Sequence, residues 1–316
     1  MSPSRKSSRS KEIIILKNKW VIKQTLPANQ APVSVRELLQ KQWLLPKKFV
    51  HYLRIRQNVS FNGRYRNMNE PVKPGDQVCL AFEGDEFRTI QDYRPDPAAR
   101  LDVIYEDDNL LVINKPAGQK SHPNEAGESG TAMNAAAAYL GGSAFMVHRL
   151  DQQTSGAMMI AKNPVVVPIM DRLISQGQIH RSYLALVRGS LQPQQGTWDW
   201  PIGLDPYDKR KRLVNGLKSQ PAVTHYQVQA ESPRYSLVKL TLETGRTHQL
   251  RVHLKHDWHP IVGDPLYNPY FKPGQHMLLH GAWLNLILPF SGKKLAVTAS
   301  LPPYFQQAIE KCHLAE

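Results

Sequence analysis

Residues 148–156 read His148-Arg149-Leu150-Asp151-Gln152-Gln153-Thr154-Ser155-Gly156, and the apolar run Ala157-Met158-Met159-Ile160-Ala161 follows at once. A lone carboxylate thus lies between a basic dipeptide and a polar turn, directly ahead of a buried-strand pattern. On these residues alone two readings stand. Asp151 can cap a turn that Thr154-Ser155-Gly156 bends tightly, or it can be the chemical centre of the molecule. A nucleophilic triad of His148, Asp151 and Ser155 is disfavoured, because three such members on one short loop rarely converge and no G-x-S-x-G elbow exposes the serine.

Composition narrows the class. The chain has 316 residues, of which 41% are hydrophobic, enough for one large core plus a small one. No stretch approaches the roughly 20 consecutive apolar residues of a membrane helix, so no membrane association is expected. The N-terminus lacks an apolar segment with a cleavage site, so it does not read as a secretory signal. Cys79 and Cys312 are the two cysteines and match no metal or disulfide spacing, which fits a reducing cytoplasm. The net charge of +14 favours a polyanionic partner, since each phosphate neutralised releases condensed counterions. Seven Lys/Arg against one acid fall in the first 23 residues, and the rest of the excess belongs to the body of the protein.

The chain divides into a disordered basic arm over 1–10, a compact unit over 11–85, a polar linker over 86–99 and a larger domain over 100–316. In the first unit Ile13–Leu16 and Trp20–Ile22 suggest short strands. Ser34 with Glu37 forms a capping box ahead of a helical stripe, and Pro46 opens a second segment in which Phe49, Val50 and Leu53 pack. Asn62-Gly63 and Pro74-Gly75-Asp76 are turns. This order, with Lys47, Lys48, Arg54 and Arg56 on the second helix, resembles the small RNA-binding domain named after ribosomal protein S-four over residues 33–82. The larger domain reads as α+β, with a mixed, mainly antiparallel central sheet and flanking helices. Strands are expected at Val103–Tyr105, Leu110–Ile113, Tyr183–Val187 and Ser236–Glu243, and helices at Thr131–Leu140 and from Asn163 to Ser175.

Two further segments carry polar chemistry. Arg181-Ser182-Tyr183-Leu184-Ala185 places a tyrosine on a strand, where the ordinary expectation is core packing. In Gly245-Arg246-Thr247-His248-Gln249-Leu250-Arg251, Thr247 can cap a helix that presents His248, Arg251 and Lys255 on one face. His248, His253, His256 and His259 invite a metal site, but no His pair flanks a Glu at helical spacing and no Cys joins them. A basic helix end facing an anion is the better reading.

Together these segments resemble the RluA-type pseudouridine synthases, which convert uridines in RNA to the carbon-linked isomer. His148-Arg149-Leu150-Asp151 with Thr154-Ser155-Gly156 is similar to that family's catalytic motif, Tyr183 to its active-site tyrosine and Gly245–Arg251 to its third motif. Lys115-Pro116-Ala117-Gly118, Ile261–Tyr267 and Leu278-Leu279-His280-Gly281 match further segments, with Gly281 standing where the family more often has alanine. The resemblance covers residues 100–300 and implies the pseudouridine synthase fold beside a small N-terminal α/β RNA-binding domain. It implies Asp151, Tyr183 and Arg251 as catalytic residues, and substrate contacts from His148, Arg149, Thr154, Arg246, His248 and Gln249. The implied partner is RNA, ribosomal or transfer, acted on by a cytoplasmic monomer.

The chemistry is consistent with this set. One glycosidic bond breaks, the uracil turns, and a carbon–carbon bond replaces it, so nothing is oxidised and no cofactor is expected. A carboxylate nucleophile must be ionised, and a guanidinium within about 4–6 Å favours that form, the role assigned to Arg251. Tyr183 offers a flat face and a hydroxyl. The target must leave its stack, and Arg149 can fill the gap or hold the flipped phosphate while Lys209-Arg210-Lys211-Arg212 tracks the backbone. Attack on the sugar, attack on the base and a glycal route stay open at this level. So does a non-catalytic RNA-binding or ribosome assembly factor.

Overall fold

A computed structural model describes residues 20–87 and 93–314, which form two units, one of residues 20–41 with 45–87 and one of 42–44 with 93–314. The expected basic arm and the strand at Ile13–Leu16 lie outside the described residues.

In the first unit, strand β1 (Trp20–Thr25) is followed by a single α-turn, α1 (Val35–Glu37), that continues as a π-turn over Leu38–Gln42. The Ser34 hydroxyl accepts the Glu37 N–H at 3.2 Å, satisfying a donor that the first turn leaves open. Helix α2 (Lys47–Ile55) buries Phe49, Val50 and Leu53 and leaves Lys47, Lys48 and Arg54 exposed. Strands β2 (Val59–Phe61), β3 (Arg64–Tyr65) and β4 (Gln77–Phe82) complete an antiparallel sheet of order β1-β4-β2-β3. Asn62 and Gly63 turn the β2–β3 hairpin with φ of 52° and 78°, the backbone a two-residue primed turn requires. Two side chains within the expected 86–99 linker are buried. Buried Glu86 accepts the Glu83 and Gly84 N–H groups and pairs with Arg56 at 2.9 Å, while Tyr93 joins the large core of the second unit.

The second unit runs β5 (Val103–Glu106), β6 (Leu110–Lys115), α3 (Ala132–Tyr139), β7 (Phe145–Met146), β8 (Ser155–Ala161), α4 (Val166–Ser175) and β9 (His180–Arg188). It continues through β10 (Gln195–Trp198), β11 (Ile202–Leu204), β12 (Arg212–Val214), β13 (Leu217–Gln220), β14 (Thr224–Ser232) and β15 (Tyr235–Leu242). Helix α5 (Gln249–His256), strands β16 (Leu279–Ile287) and β17 (Lys294–Thr298) and helix α6 (Pro303–Lys311) close the chain. The main sheet has the order β10-β14-β15-β9-β16-β8-β6-β5, with β17 on β16 and β7 on β8. Every pair in it is antiparallel except β8 with β16. Met158 and Ile160 of β8, Tyr183 and Ala185 of β9, and Leu250 and Leu254 of α5 share one core cluster. That cluster brings segments a hundred residues apart to one place.

The β8–β16 contact is unusually close. Gly156 has φ of +115°, and a Cβ there would lie 2.3 Å from the Gly281 carbonyl oxygen. Gly281 is different: its φ is not in the left-handed region, and a Cβ would meet Tyr183 Cε1 at 3.4 Å, an ordinary contact. Two histidines lock the same region. His148 Nε2 accepts the Met159 N–H at 3.0 Å, folding the 148–154 loop back onto β8. His280 Nε2 donates to the Ala299 carbonyl at 3.2 Å, so its Nδ1 accepts the Ser155 hydroxyl at 2.8 Å. Burial pushes His148 down to about 3 and His280 down to about 4, so both rings are neutral in the fold.

Gly156→Ala should destabilise the protein by about 2–4 kcal/mol through overpacking and strain. Gly281→Ala should leave urea stability equal or raise it by up to about 1 kcal/mol. The reverse order would contradict the close approach. A pH effect follows from the histidines. Both folded values lie below the unfolded value near 6.5, so their contribution is complete above that pH. It is lost as the pH falls toward 4, because only the unfolded chain takes up protons there. Between pH 7 and pH 5 each should remove roughly 2 kcal/mol of unfolding free energy. His148→Gln/His280→Gln should flatten that dependence, and an unchanged slope would contradict it.

Candidate active site

The segment carrying Asp151 is pinned on both sides through its backbone. Leu150 donates its N–H to Ser121 Oγ at 3.0 Å, and that hydroxyl donates back to the Leu150 carbonyl at 2.7 Å. The Thr154 N–H closes a turn on the Asp151 carbonyl at 3.0 Å. Gln152 accepts the Gly118 N–H at 2.8 Å and one proton of Lys115 Nζ at 3.3 Å. The other Lys115 donors reach the carbonyls of Pro116 and Gln119 at 2.8 Å each. Lys115 is fully buried, and burial pulls its pKa down to about 7 against the opposing pull of the Asp151 charge. Its ammonium ties the end of β6 to the Asp151 loop.

Opposite this loop, helix α5 begins differently from expectation. His248, not Thr247, is the N-cap, held in the left-handed conformation at φ 59° with no side-chain cap bond. Gln249 performs the fastening instead. Its amide oxygen accepts from the Arg246 N–H at 2.9 Å and the Thr244 hydroxyl at 2.8 Å, and its nitrogen donates to Val223 O and Thr224 Oγ1 at 2.9 and 3.0 Å. All four hydrogen bonds an amide can make are thereby used within the chain. Gln249 is a scaffold residue rather than the substrate contact expected of it.

Arg251 is the centre of the site. Its Nε and Nη2 form a fork on the Asp264 carboxylate at 2.8 Å each, and Nη1 reaches Asp151 Oδ2 at 2.9 Å. Burial opposes its charge, but the two carboxylates outweigh burial and raise its pKa above the ordinary value. Asp264 is itself fully buried and accepts the N–H groups of Leu266 and Tyr267 at 2.8 and 3.1 Å. The guanidinium stands 5.0 Å from the Tyr267 ring centre, and the Tyr267 hydroxyl meets His248 Nδ1 at 2.8 Å and the Arg212 N–H at 2.9 Å. His248 Nε2 lies 3.8 Å from Asp151 Oδ2, and burial, partly opposed by Asp151, lowers its pKa.

Tyr183 projects from β9 into the same place. Its pKa is raised by burial, with Arg181 opposing and Asp151 adding, so the phenol keeps its proton. Arg181, two residues earlier on the same strand face, is 7% exposed and forms no ion pair among the described residues. A Cβ on Gly245 would come 3.0 Å from its Nη1, so the glycine leaves room for this guanidinium.

Asp151, Tyr183, Arg251, Arg149, Thr154, Arg246, His248 and Gln249 all line one recess of about 100 Å³. It joins a wider cleft of about 390 Å³, rimmed by Lys120, His122, Arg149 and Arg210, and Asp151 lines both. Arg246 spends Nε on the Pro221 carbonyl at 2.9 Å and is otherwise exposed, as is Arg149. His148 is the exception among the expected site residues. Its ring is turned into the core by the Met159 bond, so it supports the loop and does not face the cleft. Ser155 is likewise buried against His280 and Tyr304, which removes the triad of His148, Asp151 and Ser155. Asp264, Lys115, Tyr267 and Arg181 were not singled out from sequence. The Ile261–Tyr267 segment was noticed, but nothing in its spacing to Arg251 signals the fork.

Comparison with known proteins gives the family of the chain. The family model for RNA pseudouridylate synthase matches residues 109–256, and that for the RluD ribosomal pseudouridine synthase N-terminal domain matches residues 22–78. The chain is 39% identical over 243 residues to an uncharacterized RNA pseudouridine synthase, YhcT, of Bacillus subtilis, covering 74% of this chain and 78% of the relative. It is 34% identical over 311 residues to ribosomal large subunit pseudouridine synthase D of Escherichia coli, covering 89% of this chain and 93% of that protein. Human RNA pseudouridylate synthase domain containing 4 superposes with a TM-score of 0.57 at 26% identity, over 68% of this chain and 94% of that one. The chain belongs to the RluA family of RNA pseudouridine synthases, isomerases that act on uridine in RNA.

Proposed function

We propose that the protein isomerises specific uridines of large-subunit ribosomal RNA with Asp151 as nucleophile. The observation that carries the catalytic assignment is the division of the Asp151 carboxylate. Oδ2 is held by Arg251 at 2.9 Å, while Oδ1 has no hydrogen-bond partner among the described residues. One oxygen is thus fixed and the other is available to a substrate in the cleft.

The reaction balances within the nucleotide. Asp151 Oδ1 attacks ribose C1′, the C1′–N1 bond breaks, and the electron pair leaves with the uracil. The base turns against the Tyr183 ring, and C5 attacks C1′ and expels the carboxylate. The proton on C5 is lost, and N1 gains one. Tyr183, whose phenol stays protonated, stacks and donates a hydrogen bond, so the released Asp151 carboxylate is the stronger base for the C5 proton. Arg149 and Arg246, exposed at the cleft, offer charge to the flipped nucleotide's phosphate.

Ribosomal RNA is favoured over transfer RNA because the relatives along nearly the whole chain are named for the large ribosomal subunit, and because the N-terminal match is to a ribosomal enzyme's domain. A cytoplasmic site of action is supported by two unpaired cysteines.

Asp151→Asn should lower the single-turnover rate by at least about 10⁴-fold while RNA affinity stays within a few-fold. Residual activity within tenfold of wild type would overturn the nucleophile. Carbodiimide mapping of pseudouridine in a deletion strain should show sites missing from large-subunit ribosomal RNA. Sites missing only from transfer RNA would replace the substrate and leave the mechanism standing.

A further inference from the structure

Helix α5 serves a second recess besides the catalytic one. Arg212, Leu213, Val214, Val252, Lys255 and Trp258 line a hollow of about 220 Å³, together with Tyr267. Tyr267 also touches Arg251 and His248, two residues that line the catalytic recess.

Trp258 is 83% exposed, and it sits immediately past the helix with φ of 65°, a conformation that bulky side chains rarely adopt. An exposed indole at a backbone position that favours glycine or asparagine has no packing reason to be there. Lys255 Nζ stands 5.1 Å from its ring centre. Arg212 spends its hydrogen bonds on the carbonyls of Lys209 and Lys211, and among the described residues neither it nor Lys255 is paired with a carboxylate. His256, also at the recess, packs against Trp200. The hollow is therefore lined by aliphatic carbon, an indole that stays largely exposed although Lys255 stands over its ring, and two cations with no carboxylate partner among the described residues. That combination matches an unpaired nucleotide, with a base that stacks and a phosphate that needs charge. From Arg251 to Trp258 along the helix direction is on the order of 10 Å, within reach of a close neighbour of the flipped uridine.

We propose that this recess takes an unpaired nucleobase of the bound RNA, a neighbour of the target uridine, stacked on Trp258 with its phosphate on Lys255 and Arg212. The proposal rests on the protein's action on RNA and not on the choice of ribosomal RNA. A second extruded base would make recognition depend on sequence or loop shape beside the target, which the Asp151 recess alone does not read.

The test uses the full chain with two probes, protein-free large-subunit ribosomal RNA and unfractionated transfer RNA, both substituted with 5-iodouridine and irradiated. With whichever RNA the wild-type protein modifies, an adduct is expected on Trp258. Trp258→Asn, which tolerates the left-handed backbone, should remove that adduct and raise KM by about 5- to 100-fold while kcat stays within threefold. Trp258→Phe should recover most of the affinity, and Lys255→Gln should weaken binding and reduce its salt dependence. Adducts confined to other residues, with an unchanged KM for Trp258→Asn, would overturn the proposal. A change of oligomeric state in Trp258→Asn without loss of RNA affinity would overturn it in favour of a second protein chain. Modification of transfer RNA alone would refute the ribosomal assignment while leaving this test intact.

Discussion

The guanidinium of Arg251 serves two carboxylates at once, and the catalytic cleft is built around that sharing. Three charged groups that are buried or nearly so would each be expelled by desolvation if left alone. They persist because Asp264 takes the guanidinium as a two-point fork while accepting two backbone N–H groups, which satisfies a fully buried carboxylate. Only the third edge of Arg251 remains, and it meets Asp151 at a single oxygen. The unequal division matters. A fork on Asp151 would occupy both its oxygens, whereas a single bond orients the carboxylate and leaves one oxygen reactive.

The scaffold serves the same end from the other side. Lys115, buried under the Asp151 loop, gives its three protons to carbonyls on two segments, so the loop is set by backbone bonds rather than by anything the carboxylate does. Gly156 allows β8 to approach β16 at a distance no side chain permits, and His148 and His280 close the same region as neutral rings. Asp151 thus projects from a rigid turn, while the groups expected to touch RNA, Arg149 and Arg246, extend from exposed positions. A fixed carboxylate beside exposed cations suits an enzyme that must accept an extruded nucleotide from a large polyanion.

Much of this was legible in the residues, for identifiable reasons. Local signals reported well: the Ser34 cap and the Asn62-Gly63 turn depend on a few adjacent residues and appear where expected. The pairing of Asp151 with Arg251 came from resemblance, because no local rule connects residues a hundred positions apart. Asp264 was missed for the same reason, since its fork forms only when the loop after α5 folds back on the helix. His148 was expected at the substrate because it precedes the catalytic aspartate, but its ring is turned inward by the Met159 N–H. Thr247 looked like a helix cap, and the side chain of Gln249 does the fastening instead, from inside the helix. The short strands β11, β12 and β13 escaped notice because they are only three or four residues long, too short for an apolar alternation to register.

A double-mutant cycle tests the shared guanidinium most directly. Single-turnover isomerisation rates are measured for Asp264→Asn, Arg251→Met and the double variant, with folding checked by urea titration. If Asp264 acts only by aiming Arg251 at Asp151, the double variant should be no slower than Arg251→Met alone, so the two losses are strongly non-additive. Losses that multiply independently would contradict the account, because Asp264 would then contribute to the reaction by a route that does not pass through Arg251.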